Sequence, residues 1–600
     1  MKSILTTFLL AVLFNNVYAN NKDFIVRLID QKNNVLKIEF LLNDFQLTQG
    51  PTINGQVHQK IMVDGGAYIL KKGSPEVKKF TTNIQLPNFG SSEIKVLETD
   101  YNEFESIDLI PSKGNLYRNI DPATIPFVKG SDYQNDSYYP KEISNKGQPY
   151  IQRDVRGQTI SFMPFQYQPI EKKLRIYNKI VVEVIFHVKK SGVNEMYERE
   201  NTPIPNEVEK SYFKRYINYT PKKYTSIGET GSILIISPSE YFDAMSSWMD
   251  WKKKAGFEME LVDIATIGNT QNDIYNYVQN YYQQNSNFLY LMLVGDHAKV
   301  ACYNAGSTGG WMPETKWSDS KYGLVSASND WYPDIYVGRF SPNTVSDLNN
   351  IVQRNLEYEI TPDSTSDHYK KAIGLGSDEG AGFGDDGEAD WQHLRNIRTD
   401  LLNFGFTEVY EFYDGTHGGA DASGDPNSTV VSNAVNAGIT LFNYTGHGDL
   451  TSCITGNFSS SHINGATNNG MYPFVVSVAC NNGTFTSATC ISESWQRASN
   501  LGSPTGAIAA CGSSILMSWS PPMATQDEIV DILVESYPTN QMHTLGGLFY
   551  SGQMKMLDDY PFDGKEVIET WVFFGDPSVM IRSNIPQQLQ VNHIDQDYVG

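Results

Sequence analysis

The chain has 600 residues, of which 40% are hydrophobic, and carries a net charge of −22. That length exceeds what a single hydrophobic core supports and points to roughly two to four domains. The acidic balance argues against nucleic-acid or anionic-membrane partners and suits cationic substrates or bound divalent cations, while five cysteines, an odd number, exclude a disulfide framework and leave at least one thiol free.

At the start, Met1-Lys2-Ser3, the apolar run Ile4 to Phe14 and then Val17-Tyr18-Ala19 follow the charged, apolar and small-residue order of a secretory signal, with cleavage expected after Ala19. Past it no apolar stretch approaches the roughly eighteen residues of a membrane-spanning helix. The mature chain is therefore expected to be soluble, and secreted or held at the cell surface. From Asn20 to Thr220 the pattern is strand-like. Ile25 to Ile29, Val35 to Phe40 and Ile180 to Val188 alternate or run apolar between Pro, Gly and Asn turns, which predicts an all-β region. It ends in a Pro- and Tyr-rich connector whose basic pairs, Lys214-Arg215 and Lys222-Lys223, suit either proteolytic processing or a solvated linker.

Beyond Tyr219-Thr220-Pro221 the pattern changes to strands alternating with helices. Ile233 to Ile236 is a short apolar strand, and Ser237-Pro238-Ser239-Glu240 has the form of a capped helix start with proline at the first helical position. Phe257 to Val262 predicts a strand, Thr270 to Tyr282 a helix and Phe288 to Val294 a purely apolar strand. Further strands are expected at Ile335 to Phe340, Lys371 to Leu375, Val409 to Phe412, Ile439 to Tyr444, Phe474 to Ala479 and Thr505 to Ala510. This spacing implies an α/β fold with a mostly parallel sheet flanked by helices, as one large unit or two abutting ones. After Phe574-Gly575-Asp576-Pro577-Ser578 the alternation stops, and Ile585 onward reads as the start of a further domain.

In an open parallel sheet, reactive groups collect beyond the carboxyl ends of strands. Two strand ends carry such groups here: Asn443-Tyr444-Thr445-Gly446-His447-Gly448 and Val478-Ala479-Cys480-Asn481-Asn482-Gly483. A thiolate that attacks a carbonyl needs an imidazole to store its proton and backbone N–H groups to stabilise the oxyanion. Cys480 and His447 supply the first two, and the amides of Gly448 and Cys480 are candidate oxyanion donors. A strand-terminal cysteine or a Gly-His-Gly turn alone is ordinary structure; the conjunction in one α/β unit points to acyl transfer. Cys302, Cys453, Cys490 and Cys511 lack this setting.

These two stretches, with Pro504-Thr505-Gly506, Gln526-Asp527-Glu528 and the Phe574 to Ser578 turn, resemble in order the gingipains, a family of caspase-like cysteine peptidases, and in detail its arginine-specific members. The resemblance covers about Tyr219 to Arg582. After the signal peptide read over 1–19, it implies that the β-rich region over 20–220 is an inhibitory propeptide domain and that the α/β region over 221–584, of two abutting subdomains, is a caspase-like peptidase domain. A C-terminal, immunoglobulin-like domain would begin over 585–600. It also gives roles to further residues: Glu379 as the carboxylate that orients His447, Asp390 as the acid at the base of the specificity pocket, and Trp519 as the pocket's cover. Asp390 suits that role chemically, since a desolvated guanidinium needs a carboxylate in reach, although a helix-start acid has the same appearance.

Acids before the strand Ile335 to Phe340 form a third set. Asp330, Tyr332 and Asp334, with Asp296 at a neighbouring strand end, have the hard oxygen donors that Ca²⁺ requires. The resemblance adds the carbonyl of Ala327, and a second calcium position at Glu388 and His393, the histidine through its carbonyl. Asp334 is one methylene shorter than the family's usual Glu, and the residues after Cys480 differ in detail. Within the β-rich segment, Arg153 and Arg156 are candidates to block a basic-specific pocket. The expected activity is thus a secreted cysteine endopeptidase, made as a zymogen, that cleaves peptide bonds after arginine, or after lysine, through a Cys480 thioester. A transpeptidase or sorting enzyme with the same dyad, and a calcium-stabilised binding module, are the competing readings.

Overall fold

The computed structural model describes residues 17–20, 23–53, 55–197, 204–220, 230–309, 313–537 and 541–587. The expected signal sequence up to residue 16, the pair Lys222-Lys223 and the end of the chain from residue 588 lie outside the described residues. Val17–Asn20 pairs antiparallel with Phe24–Lys32 as an edge strand. Among the described residues no helix is long and apolar enough to cross a membrane.

The N-terminal region is all-β, as its turn-punctuated strands predict. A six-stranded antiparallel sheet is centred on Lys173–His187, which pairs on one side with Val35–Leu42 and on the other with the long strand Ser91–Phe104. A second sheet is centred on Val155–Phe162, paired with Lys78–Gln85. Inward residues of both sheets meet in one core, where Phe24, Phe40, Phe80, Phe162 and Phe165 form a run of ring contacts 4.6 to 6.4 Å apart. Each fully buried aromatic or aliphatic side chain contributes about 1.5–3 kcal/mol.

The remainder is built on a ten-stranded sheet, with three short two-stranded ribbons in its connections. In spatial order the strands are Glu258–Asp263, Ser232–Ser237, Phe288–Val294, Tyr336–Phe340, Trp571–Gly575, Ala509–Ser513, Phe474–Val478, Leu441–Thr445, Lys371–Gly376 and Glu408–Tyr413. All neighbours are parallel except Trp571–Gly575 and Ala509–Ser513, which run antiparallel. Five parallel strands on each side of that seam give two abutting α/β halves within one sheet. Central strands such as Phe288–Val294 are buried along their whole length because helices cover both faces, which is why their sequences are continuously apolar.

Local chemistry explains most element boundaries. Thr270 and Asp273 form a reciprocal capping box at the start of Gln271–Gln284. The cap expected at Ser237 does not form: its hydroxyl donates to the Pro238 carbonyl, Pro238 opens a short 3₁₀ turn, and the helix runs Phe242–Lys254. The strand expected from Thr505 begins only at Ala509, because Gly506 turns the chain at φ +81° with its Cα against Trp495 O, where a Cβ would sit 2.2 Å from that oxygen. Lys214 and Arg215 belong to no loose linker. They end the helix Asn206–Arg215, which packs on the peptidase half of the molecule through the ion pairs Lys214–Glu528 and Arg215–Asp558.

Candidate active site

Leu441–Thr445 and Phe474–Val478 are parallel neighbours with Thr445 level with Val478, so the residues that follow leave the sheet at the same edge. His447 and Cys480 are among them. The two loops are in contact: a Cβ on Gly448 would lie 2.6 Å from Cys480 O, a closeness that glycine permits. Tyr444 Oη and Ile454 N both donate to His447 O and fix the histidine loop. On the other side, Lys371–Gly376 pairs with Leu441–Thr445 and leads into Glu379, whose Oε2 lies 2.8 Å from His447 Nε2. That hydrogen bond raises the His447 pKa, outweighing the opposite effect of burial. The Cys480 thiol accepts from Met517 N at 3.3 Å, and burial pushes its pKa up to about 11. It is 1% exposed and stays protonated at neutral pH.

A peptide segment of the β-rich domain lies against this thiol. Leu116-Tyr117-Arg118 lies antiparallel along Met517-Ser518-Trp519: Arg118 N donates to Met517 O and Trp519 N to Leu116 O, each at 2.8 Å. One guanidinium nitrogen of Arg118 reaches both oxygens of Asp390, at 3.0 and 3.1 Å, and the other donates to Trp519 O at 3.1 Å. Asp390 opens the helix Asp390–Phe404 and also accepts from Ser377 Oγ at 2.7 Å. Both members of the pair are 0% exposed. The indole of Trp519 stacks over the guanidinium, 4.6 Å from the ring centroid. The Arg118 backbone faces both the His447 ring and the Cys480 thiol. A turn closed by Ile120 N on Tyr117 O at 3.2 Å then carries the chain away.

Arg153 and Arg156, the arginines expected to block the pocket, do not reach it. Arg153 sits at a hairpin tip with φ +52° and donates to the carbonyls of Phe288 and Ser286 at the far side of the sheet. Arg156 binds carbonyls of its own domain, at Pro87, Gly90, Val193 and Asn194. Arg118 carries no strand or helix signal; it lies in the Pro-, Gly- and Asn-rich stretch Pro111 to Pro122, and an arginine isolated in such a loop is the one cue the sequence holds.

The first expected cation set is not assembled as a metal site. Asp330 accepts from Tyr332 N and from Ile151 N of the β-rich domain. Asp334 accepts from Val325 N, Ser326 N and Arg153 N at 2.8 to 2.9 Å. The Tyr332 hydroxyl goes to Asp558, and Asp296 caps the turn at Lys299 N. The carboxylates of Asp296, Asp330 and Asp334 are thus engaged by backbone amides in this latent arrangement. The second set does fit. Asp385, His393 and Asp527 are the group among the described residues whose ligand atoms lie within 4.8 Å of one another. Asp385 Oδ1 and both carboxylate oxygens of Glu388 are buried without a hydrogen-bond partner, a costly state that a bound divalent ion would relieve. The ring of His393 faces these acids, with Nδ1 3.3 Å from Glu388 Oε1 and Nε2 3.0 Å from Gln526 Oε1. In the sequence Asp385 is not marked out and Asp527 stands only within the Gln526-Asp527-Glu528 match, without a ligand role, since solvated acids look the same. All five cysteines are buried and free.

The profile of peptidase family C25 matches residues 226–582, and that of the C25 propeptide matches residues 15–223. Gingipain R2 of Porphyromonas gingivalis (strain ATCC BAA-308 / W83) is 33% identical over 574 residues, covering 94% of this chain and 75% of the relative. Lys-gingipain of Porphyromonas gingivalis (strain ATCC 33277) is 24% identical over 500 residues, covering 80% of this chain and 27% of the relative. A crystal structure of the Arg specific cysteine proteinase gingipain R matches with a TM-score of 0.56 at 33% identity, over 62% of this chain and 82% of that one. A complex of the pro- and mature domains of Porphyromonas gingivalis RgpB gives 0.55 at 33% identity, over 60% and 81%. The chain therefore belongs to peptidase family C25, as a gingipain-like cysteine endopeptidase of caspase-like fold that carries its own propeptide domain.

Proposed function

We propose that this chain is a secreted zymogen whose peptidase domain cleaves after arginine through a thioester on Cys480. The observation that carries the reading is Arg118, held in the cleft by Asp390 and Trp519 while its backbone lies against His447 and Cys480. A substrate arginine entering the same pocket would bring its carbonyl to the thiol. His447 takes the thiol proton as sulfur attacks, and Glu379 holds the ring and favours its protonated form. The amides of Gly448 and Cys480 are the proposed oxyanion donors. His447 returns the proton to the leaving amine, and water then releases the acyl group from sulfur. The relative named as arginine-specific supports this preference over lysine.

In the latent chain Arg118 blocks the pocket, and a turn closed by Ile120 N on Tyr117 O follows it directly. Removal of the propeptide would also expose Cys480 and end the burial that keeps it protonated. Calcium is proposed at Asp385, Glu388 and Asp527 beside His393, where it would neutralise buried carboxylates and hold the loop before Asp390. The signal-like N-terminus supports export. The test uses the matured enzyme with paired arginyl and lysyl amide substrates. The expected result is turnover of the arginyl substrate, lost on Cys480→Ala, with Asp390→Asn costing arginine substrates at least tenfold in kcat/KM. Full activity of the Cys480→Ala enzyme would end the proposal.

A further inference from the structure

We propose that the acidic face of the helix Asp563–Thr570 reads the residues that precede the scissile arginine, with Glu566 selecting a cationic or hydrogen-bond-donating side chain immediately before it. This rests on the arginine-cleaving reading of the Cys480 cleft and deepens it. Leu116-Tyr117-Arg118 adds a strand to Met517-Ser518-Trp519 in the register of a bound substrate, with the backbone of the arginine and of the residue two before it paired to the enzyme. Side chains alternate along such a strand. The residue next to the arginine, Tyr117, therefore faces away from the Asp390 pocket, and its hydroxyl donates to Glu566 Oε1 at 2.7 Å. Asn115, two residues further back, donates from Nδ2 to Asp563 Oδ1 and to Ser518 Oγ, each at 3.0 Å.

Ionised carboxylates accept and cannot donate. A wall of Glu566 and Asp563 thus favours tyrosine, lysine, arginine or asparagine side chains and repels aspartate and glutamate. Glu314 adds a third negative charge near Tyr117. The lysines of the neighbourhood do not cancel this: Lys565 stacks over Trp331 at 3.9 Å, and Lys316 pairs with Glu569 at 2.7 Å. Asp563 and Glu566 lie on one helix face, three residues apart, as reading alternate residues of an extended peptide requires. The propeptide segment meets the wall with donors at both positions.

The experiment measures kcat/KM of the matured enzyme on a series of tetrapeptidyl fluorogenic amides ending in arginine, varying only the preceding residue among Lys, Tyr, Ala and Asp. Lysine and tyrosine are expected to exceed aspartate by on the order of tenfold, chiefly through KM. Glu566→Gln should reduce the lysine-over-aspartate ratio several-fold, and Glu566→Lys should invert it. The alanine member reports on each variant's arginine cleavage and folding in the same assay. Equal values across the series with brisk arginine cleavage overturn the inference alone; no turnover of any arginyl member overturns it together with the arginine reading.

Discussion

Arg118 and Asp390 form an ion pair from which water is excluded on every side, with Ser377 Oγ as a further donor to the acid. Deleting one partner of such a pair costs about 3–5 kcal/mol because the other charge is left buried and unpaired. Arg118→Ala should therefore loosen the propeptide, and the full chain should show arginyl-amide activity without the lag of the native zymogen. Arg156→Ala, whose guanidinium bonds only to its own domain, should keep the lag. Equal lags in the two variants would remove Arg118 from latency. A second prediction concerns Glu379. Its carboxylate raises the His447 pKa, so the pair's stabilisation is fully present below the unfolded histidine value and fades as pH rises through the folded one. In a Cys480→Ala background, Glu379→Gln should lower Tm more at pH 5 than at pH 9, the stability difference staying within about 1 kcal/mol for so partly exposed a pair. Cys480 and His447 were legible because each stands in its own local motif at a strand end. Glu379 and Asp390 were legible only through family resemblance. Arg118 was hidden because its partner lies 272 residues away and nothing local marks the encounter.

At the scale of elements, the propeptide holds the peptidase through a hairpin and a helix as well as the Arg118 segment. Asp558, on the buried helix Leu545–Asp559, gathers Arg215 from the helix Asn206–Arg215, Asn83 and Thr159 from the second propeptide sheet, and the Tyr332 hydroxyl. Asp558→Asn would leave Arg215 buried against an amide that cannot balance it, a cost of about 3–5 kcal/mol. The full-length Cys480→Ala, Asp558→Asn chain should melt earlier and release its propeptide to limited proteolysis sooner than Cys480→Ala alone. An unchanged melt would mean that the network carries no net stability. The strands and their α/β order were legible because their periodicity and turn residues are local. The helix Asn206–Arg215 was read as a connector, since Pro and Tyr masked a pattern whose acidic first turn and basic last turn suit a helix dipole. The loss of the Ser237 cap and the late start of the strand at Ala509 were decided by Pro238 and by the close packing at Gly506, and each displaced only one boundary.

Across the whole molecule, the propeptide meets the peptidase through opposite charges: Lys60, Lys78, Arg118, Lys214 and Arg215 contact carbonyls and carboxylates of the peptidase. Two of these contacts fall on the loop that carries the acids of the proposed cation site. Lys60 Nζ donates to Gly382 O at 2.7 Å, and Lys78 pairs with Asp386 at 2.6 Å. The same loop presents Asp385 and Glu388 to His393 and Asp527, then enters the helix that starts at Asp390. While the propeptide is bound, two lysines offset part of the charge and tether the loop. Once it leaves, the proposed divalent cation would be the remaining counter-charge for Asp385, Glu388 and Asp527. An ion present at a hundred times its dissociation constant adds about 2.7 kcal/mol. Chelation should therefore lower Tm by a few degrees in the matured enzyme and by less in the latent chain. Asp385→Asn combined with Glu388→Gln should abolish the calcium response of both forms, because the unpartnered oxygens that call for the ion are then gone. Differential scanning fluorimetry of the Cys480→Ala protein before and after propeptide removal, with calcium and with chelator, measures all four states. A larger chelator effect on the latent chain would show that the propeptide lysines do not share the work of the cation.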